Sequence, residues 1–381
     1  MKNITLCMIV KNESRIIERC LDSAAPIIDC LSICDTGSTD GTVQIIKNWA
    51  NVNGKNCTVH HTPFQNFGYN RTLSVKLAQQ TYPDSDYILL LDADMILQVE
   101  AGFTKKELAA DQYLVMQMNN SLKYWNTRLV SARKQWESVG VTHEYWEMKR
   151  DVSEIVEIGK LTTLYILDKE DGGSKQDKFE RDKRLLEEAI NNNENDKHLK
   201  QRYLFYLAQT YYDLQEWDNA IEAYQKRIKE GGWEEEIYYS MHKIGLAYEQ
   251  LSMYFPVGEK ADRFLSLALL HLQRAWEFRP SRGEAIYHLA RIHRENKHYH
   301  ICLLYAAEGK AISFPVDDLL FVDFPVHDYL FDYELAIAAY YIEEKREIGL
   351  KALNSLLERQ DKLPANMQQW LSETNKFYQS H

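Results

Sequence analysis

The chain has 381 residues, a length that favours two domains over a single hydrophobic core. Its formal net charge is -11 and 45% of its residues are hydrophobic, which suits a soluble globular protein and argues against a general nucleic-acid binder. Six cysteines without C-x-x-C spacing argue against a zinc site and favour a reducing, cytoplasmic compartment, and no apolar run approaches the length of a membrane span.

The first part of the chain, as far as residue 91, alternates strand-like and helix-like segments, and 112–168 mixes short strand-like runs with aromatic residues in a weaker pattern. In chain order the pattern predicts strand 4–10, helix 13–23, strand 30–35, a helix opening at 39–42, strand 57–61, helix 70–80 and strand 87–91. This alternation predicts an α/β domain over 1–190, with a parallel sheet and helices on both faces. Ligands of such sheets bind beyond the carboxyl ends of the strands.

From 198 to 381 the pattern changes to almost continuous helix, after a polar break at 191–196. Small and aromatic residues recur there at fixed offsets, with copies beginning near 207, 244, 289 and 335 and an 11-residue insertion near 256 in the second copy. These offsets resemble the tetratricopeptide repeat, which implies an all-α domain of stacked helix pairs. An unrelated helical bundle is the alternative.

The pair Asp92-Ala93-Asp94 follows the apolar strand at 87–91. Two carboxylates at the end of a buried strand repel each other and lose hydration, so they are costly unless a cation offsets them. Hard cations such as Mg²⁺ or Mn²⁺ take oxygen ligands, often one or two carboxylates together with substrate phosphates. The pair therefore predicts a divalent metal site, with a solvated turn as the alternative.

Four segments precede or include this pair in a characteristic order: Asn12-Glu13-Ser14 with Cys20-Leu21-Asp22-Ser23, the run from Asp35 to Thr42, Asn70-Arg71, and Asp92-Ala93-Asp94. Together they resemble the family 2 glycosyltransferases, which have the nucleotide-diphospho-sugar transferase GT-A fold, a Rossmann-like domain. The resemblance implies a nucleoside-diphosphate sugar donor, with uridine as the family's common base. It also implies a divalent metal, Mn²⁺ or Mg²⁺, and inversion at the anomeric carbon.

The resemblance also implies which residues bind the donor and the metal. The expected nucleotide-sugar contacts are Val10, Asn12, Glu13, Asp35, Arg71, Asp92, Ala93, Lys178 and Arg181. Asp94 is the expected direct metal ligand, Asp92 is placed between the ribose and the metal's ligand shell, and His143 is the expected third ligand. An ordinary strand histidine is the alternative for His143, and a charged linker is the alternative for the segment with Lys178 and Arg181.

An inverting transfer needs a general base near the acceptor hydroxyl. Glu144 is the first candidate and Asp171 the second, although Glu144 does not stand in the adjacent Glu-Asp pair common in this family. The repeats would hold a protein, peptide or glycan acceptor, or a second copy of the chain in a homodimer. The alternative functions are a sugar-phosphate nucleotidyltransferase and a non-catalytic helical-repeat adaptor with a degenerate transferase domain.

Overall fold

The computed structural model describes residues 2–119, 123–151, 154–172, 177–192 and 196–379. It divides the chain into two compact units, Met1–Asn192 and Asn193–His381. The polar break at 191–196 and the glycine-bearing loop near 171–181 fall partly outside the described residues. Within these ranges no helix is both long and apolar enough to cross a membrane.

The N-terminal unit is built on a mixed sheet of eight strands in the order β3-β2-β1-β4-β7-β6-β10-β5, with a separate pair β8-β9. The strands are β1 Ile4–Val10, β2 Cys30–Asp35, β3 Asn56–His61, β4 Tyr87–Leu90, β5 Met95–Val99, β6 Gln112–Met118, β7 Lys123–Ser131, β8 Gln135–Val139, β9 Tyr145–Lys149 and β10 Ile158–Asp168. The apolar runs at 4–10 and 30–35 are confirmed as buried strands with the predicted bounds.

The sheet is parallel in two parts, β1 to β4 and the pair formed by β6 and β10. Strands β1 to β4 run in one direction, so Val10 pairs with Asp35 and the carboxyl ends of β1, β2 and β4 share one edge. Strand β7 is antiparallel to both β4 and β6, and β5 is antiparallel to β10. The predicted parallel sheet is therefore confirmed for β1 to β4, whereas a short connection between β6 and β7 allows an antiparallel hairpin in the second half.

Helices α1 Ile17–Ala24, α2 Thr42–Val52 and α3 Phe67–Thr81 contact the sheet, and α4 Lys178–Asn192 follows β10. Helix α1 begins later than predicted, because the amides of Ile16 and Ile17 both donate to the Glu13 carbonyl in a turn. The Asp40 carboxylate accepts from the amide and hydroxyl of Thr42, the first residue of α2, at 3.0 and 2.5 Å.

The C-terminal unit is all-α. Its helices are α5 Lys197–Asp213, α6 Trp217–Lys229, α7 Glu234–Met253, α8 Glu259–Phe278, α9 Glu284–Glu295, α10 Tyr299–Lys310, α11 Phe331–Tyr340, α12 Arg346–Leu357 and α13 Ala365–Gln379. Consecutive helices from α5 to α12 pack as four pairs, each one tetratricopeptide-like repeat. The 11-residue insertion lengthens both helices of the second pair to 20 residues.

Close helix approach explains the small residues of the repeat pattern. A Cβ added at Gly245 of α7 would lie 2.7 Å from Leu272 Cγ of α8, so only glycine fits at this crossing. Arg227, where the repeat family usually has alanine, is 1% exposed and pairs with Glu236 at 2.7 Å. The buried ion pair provides the partner that an arginine needs inside a helix pair.

Candidate active site

A cavity of 580 Å³ opens at the carboxyl ends of β1 and β4, and all the residues that line it belong to the N-terminal unit. It brings together eleven of the predicted site residues: Val10, Asn12, Glu13, Arg71, Asp92, Ala93, Asp94, His143, Glu144, Lys178 and Arg181. In the described part of the chain, Asp35 and Asp171 are the predicted site residues that do not line it.

Asp92 is held between two arginines. Arg71 Nη1 of α3 lies 2.8 Å from Asp92 Oδ1, and Arg128 Nη1 of β7 lies 3.8 Å from Asp92 Oδ2. Burial alone would raise the pKa of Asp92, but the two guanidinium charges outweigh it and hold that pKa below its usual range. Asp92 is thus an ionised carboxylate whose charge is balanced by protein cations.

Arg71 also binds Glu144, so one guanidinium joins two carboxylates from different parts of the chain. Arg71 Nε lies 2.5 Å from Glu144 Oε1. Burial would lower the pKa of Arg71, and the charges of Asp92 and Glu144 reverse this and raise it above its usual range. The cluster Arg71–Asp92–Glu144 forms the charged floor of the cavity.

The turn after β8 places Glu144 against α3. Phe67 donates its amide to the Val141 carbonyl at 3.0 Å, and a Cβ added at Gly68 would lie 2.2 Å from the Gly140 carbonyl oxygen. Gly140 itself has a φ of 114°, a left-handed conformation that favours glycine. Two glycines therefore allow the contact that brings the 142–144 segment to Arg71.

Asp94 lies beside the segment that follows β10. Lys169 donates its amide to the Asp94 carbonyl at 3.1 Å, and a Cβ added at Gly172 would lie 3.1 Å from Asp94 Oδ2. Within the described ranges, no group of three or more His, Cys, Asp or Glu side chains is arranged to hold a metal ion. The protein alone therefore presents fewer ligands than the predicted set of Asp94, His143 and Asp92 requires, and two arginines already occupy Asp92.

The cavity nevertheless has an acidic lining. Its carboxylates outnumber its Lys and Arg side chains by eight to four: Glu13, Asp92, Asp94, Glu144, Asp168, Glu170, Asp177 and Asp182 against Lys11, Arg71, Lys178 and Arg181. Mg²⁺ and similar cations are commonly held by one or two carboxylates plus substrate phosphates, with water completing the shell. This donor set fits a cation that arrives with a phosphorylated ligand better than a closed protein site.

The loop after β2 closes on the end of β1. Asn12 Oδ1 accepts from the Thr39 amide at 2.8 Å, and Ser38 Oγ accepts from the Asn12 amide at 3.0 Å. Asp35 is 4% exposed and accepts from the Ser38 amide at 3.1 Å, with His61 Nδ1 at 3.3 Å. Asp35 therefore shapes this loop from beneath, and its contact with a nucleobase stays a prediction.

The cationic side of the cavity comes from the start of α4. Arg181 Nη2 lies 3.2 Å from Asp182 Oδ1, and its guanidinium lies 4.8 Å from the centre of the Phe67 ring. Lys178 is the first residue of α4 and lines the same cavity. The helix N-terminus adds partial positive charge at this point, so the region suits an anionic group.

Asp171 lies in a different environment from Glu144. Its two carboxylate oxygens accept from Arg19 Nη1 and Nη2 at 2.9 and 2.7 Å in a bidentate pair. It is absent from the cavity lining as far as the structure is described. The geometry therefore favours Glu144 over Asp171 as the group that meets a bound substrate.

Three non-glycine residues of the lining adopt left-handed backbone conformations: Asn12, His143 and Glu170, with φ of 58°, 51° and 52°. Such conformations are uncommon outside glycine and cluster at functional sites, where surrounding contacts hold them. Half of the six positive-φ non-glycine residues in the described ranges thus belong to this one cavity.

Sequence reasoning missed several polar residues of the site. Arg128 and Gln117 lie on the antiparallel half of the sheet, and Asp168 ends β10. Asp182, on α4, is 2% exposed, and burial raises the pKa of its carboxyl in spite of Arg181. A charged or amide residue inside an otherwise apolar strand, such as Arg128 beside Leu129, is the sequence signal that could have indicated these site residues.

Comparison with known proteins finds a family match for the first half of the N-terminal unit. The family model described as "Glycosyl transferase family 2" matches residues 5–103, which run from β1 to just beyond β5. This segment contains Asn12, Asp35, Arg71 and the pair Asp92 and Asp94. The N-terminal part of the chain therefore matches the family 2 glycosyltransferase model over residues 5–103, and tetratricopeptide-like repeats follow in the C-terminal unit.

Several known proteins are similar to portions of this chain. The TPR repeat-containing protein Synpcc7942_0270 of Synechococcus elongatus is 34% identical over 102 residues, which is 26% of this chain and 23% of that protein. The S. aureus TarS crystal structure is 14% identical with a TM-score of 0.39, covering 70% of this chain and 55% of that chain. MamA from Desulfovibrio magneticus RS-1 is 12% identical with a TM-score of 0.35, and the match covers 49% of this chain and 88% of that chain. The chain spans about a quarter of the curated relative.

Proposed function

We propose that the protein is a metal-dependent, inverting glycosyltransferase that moves a sugar from a UDP-sugar to an acceptor hydroxyl on a protein, peptide or glycan. The observation that carries the proposal is the Arg71–Asp92–Glu144 cluster on the floor of a 580 Å³ cavity, at the carboxyl ends of parallel strands. This is the edge at which α/β sheets bind nucleotides. Arg71 and Asp92 also fall within the segment that the family model matches.

The donor has two complementary regions in the cavity. The loop around Asn12 and Thr39 borders the ends of β1 and β2 and is the proposed position of the nucleoside. The start of α4, with Lys178 and Arg181, is the proposed partner of the diphosphate. The sugar then lies above Asp92, between these two regions.

The proposed cation is Mn²⁺ or Mg²⁺, with Asp94 and His143 as its protein ligands and donor phosphates completing its shell. The acidic excess of the lining supports this assignment, since eight carboxylates face four basic side chains. When bound, the cation would offset the negative charge that develops on the leaving nucleoside diphosphate.

Glu144 is the proposed general base. Its carboxylate lines the cavity, and Arg71 fixes it at 2.5 Å. Glu144 would take the proton of the acceptor hydroxyl as that oxygen bonds to the anomeric carbon. The bond between this carbon and the donor phosphate oxygen breaks on the opposite face, which inverts the configuration.

The first test is a panel of nucleoside-diphosphate sugars with candidate acceptors, in which mass spectrometry detects the transferred sugar. Transfer with release of the nucleoside diphosphate supports the proposal, whereas cleavage between the phosphates indicates a nucleotidyltransferase. Thermal unfolding with UDP, with and without Mn²⁺, measures donor binding, because a ligand of the folded state raises the melting temperature. If no nucleoside diphosphate raises the melting temperature, the proposal is wrong, and a non-catalytic helical-repeat adaptor becomes the better description.

The second test separates the two candidate bases. Glu144→Gln should lower kcat by about 100-fold or more, the scale of general-base catalysis, while UDP still raises the melting temperature. Asp171→Asn is the matched control, since it neutralises a carboxylate that pairs with Arg19 outside the cavity. The assignment is wrong if Asp171→Asn lowers kcat as much as Glu144→Gln does.

A further inference from the structure

A buried polar chain connects two carboxylates of the cavity, Asp92 just after β4 and Asp168 at the end of β10. Gln117 Nε2 on β6 donates to Asp168 Oδ2 at 2.9 Å. Gln117 Oε1 accepts from Arg128 Nε and Nη2 on β7 at 3.1 and 2.6 Å. Arg128 Nη1 then lies 3.8 Å from Asp92 Oδ2. The chain therefore runs from Asp168 through Gln117 and Arg128 to Asp92.

We propose that Arg128 and Gln117 are positioning residues for the transfer reaction, which fix the carboxylates of Asp92 and Asp168 towards the donor sugar. The inference rests on the proposed function, because it assigns these carboxylates to a bound sugar nucleotide. Asp92 and Asp168 line the cavity, whereas Arg128 and Gln117 are not among its described lining residues. Their effect on a substrate would be transmitted through the two carboxylates.

Strand geometry delivers Arg128 to this place. Along the β6–β7 pair, Leu129 lies opposite Tyr113 and Thr127 lies opposite Leu114, so Arg128 is one extra residue on β7. A β-bulge of this kind redirects a side chain and is common next to active sites. Arg128, Leu129 and Val130 are consecutively buried, which a regular strand with one polar face would not show.

Gln117 suits the chain because an amide both accepts and donates. It is 2% exposed, its oxygen faces Arg128, and its nitrogen faces Asp168. A carboxylate in its place would accept from Arg128 but would repel Asp168, and an apolar side chain would remove one hydrogen-bond partner from each of them. The amide thus sets the spacing between the two charged residues.

Stability alone is a poor explanation for this chain. Buried charge networks are often replaceable by apolar residues with no loss of stability. Arg128 is 8% exposed, and its burial lowers its pKa more strongly than the charge of Asp92 raises it. The contacts of Arg128 next to the cavity therefore indicate that it holds the Asp92 carboxylate in place, and the net lowering of its pKa by burial supports this.

The test compares Arg128→Met and Arg128→Lys with wild type, measuring kcat and the donor KM separately. Arg128→Met should lower kcat about 10–100-fold, the scale for removing a residue that orients a ligand, with the donor KM changed about threefold or less. Arg128→Lys should recover part of this loss, because an ammonium meets one partner at a time. Arg133→Met is the control: it breaks a 2.9 Å pair with Asp86 outside the cavity lining and should leave both constants unchanged.

A double-mutant cycle with Gln117→Met supplies a second readout. Because both residues act in one chain, the double variant should lose no more activity than the worse single variant. Independent losses that multiply, or a kcat of Arg128→Met within twofold of wild type, would overturn the inference. If Arg128→Met does not fold, Arg128→Lys and Gln117→Met decide the same comparison.

A wild-type protein that transfers no sugar from any donor overturns both this inference and the proposed function. An active wild type with an unchanged kcat for Arg128→Met overturns this inference alone.

Discussion

Replacing Arg71 with methionine should destabilise the N-terminal unit as well as abolish transfer. The change removes one guanidinium that lies 2.8 Å from Asp92 and 2.5 Å from Glu144, with side-chain exposures of 16, 24 and 15% for the three residues. Breaking a buried ion pair from one side costs about 3–5 kcal/mol, and the partial exposure of both carboxylates argues for about 3 kcal/mol. For a unit of this size, that loss lowers the melting temperature by roughly 6–12 °C.

Scanning calorimetry of the full chain measures this shift, and Arg133→Met is the comparison. Arg133 is 74% exposed where it pairs with Asp86, so its removal should move the melting temperature by less than about 2 °C. Arg71→Lys should fall between the two, because a lysine cannot hold both carboxylates in a fixed fork. Equal melting temperatures for Arg71→Met and Arg133→Met would refute the view that this cluster is an energetic centre of the unit.

Two further predictions address the turn at the cavity and the repeats. Gly68→Ala places a methyl group 2.2 and 2.7 Å from two carbonyl oxygens of the 138–140 turn. It should therefore lower the free energy of unfolding by about 1–3 kcal/mol, measured by thermal unfolding, and should also lower the rate of transfer. Gly41→Ala is the control that should change neither quantity, because its added Cβ would lie 3.7 Å from the nearest side-chain atom. Burial, with nearby cations, lowers the pKa of His242 to about 3 in the folded protein. In the unfolded chain the histidine keeps its ordinary pKa of about 6.5, so as the pH falls below this value the unfolded chain becomes protonated while the folded protein does not. The unfolding free energy of the helices should then drop by about 2 kcal/mol from His242 between pH 7 and pH 5 in urea titrations followed at 222 nm. His242→Phe should remove this loss of stability, whereas His300→Phe, at an exposed position, should leave it unchanged. Equal acid sensitivity of the two variants would contradict the reasoning.

The sequence predicted well those elements whose signal is local. Strands β1 and β2 are apolar runs between polar segments, and both have the predicted bounds. The two carboxylates after β4 were placed at the correct edge, because parallel strands bring their carboxyl ends together. The repeat offsets likewise predicted the helix pairs of the C-terminal unit, since close packing demands small residues at fixed positions.

The cationic partners of the site were beyond local reasoning. Arg128 is 36 residues from Asp92 in sequence and meets it only because β7 pairs with β4, an antiparallel contact that the alternating pattern did not suggest. In the same way, Arg19 of α1 captures Asp171 across 152 residues and removes it from the group of side chains around the cavity. Charged pairs of this kind depend on strand order, which periodicity does not encode.

Pairing Asp92 with two arginines changes how the acidic pair after β4 is to be understood. A metal site explained both carboxylates in the sequence, since each needed a positive partner. The structure supplies the partners of Asp92 from the protein itself, through Arg71 and Arg128. Asp94 lies instead beside the Lys169–Gly172 segment, at the end of the cavity where Asp168 and Glu170 add further negative charge. The proposed cation therefore has its protein contact at Asp94, while the charge of Asp92 is balanced within the protein by Arg71 and Arg128.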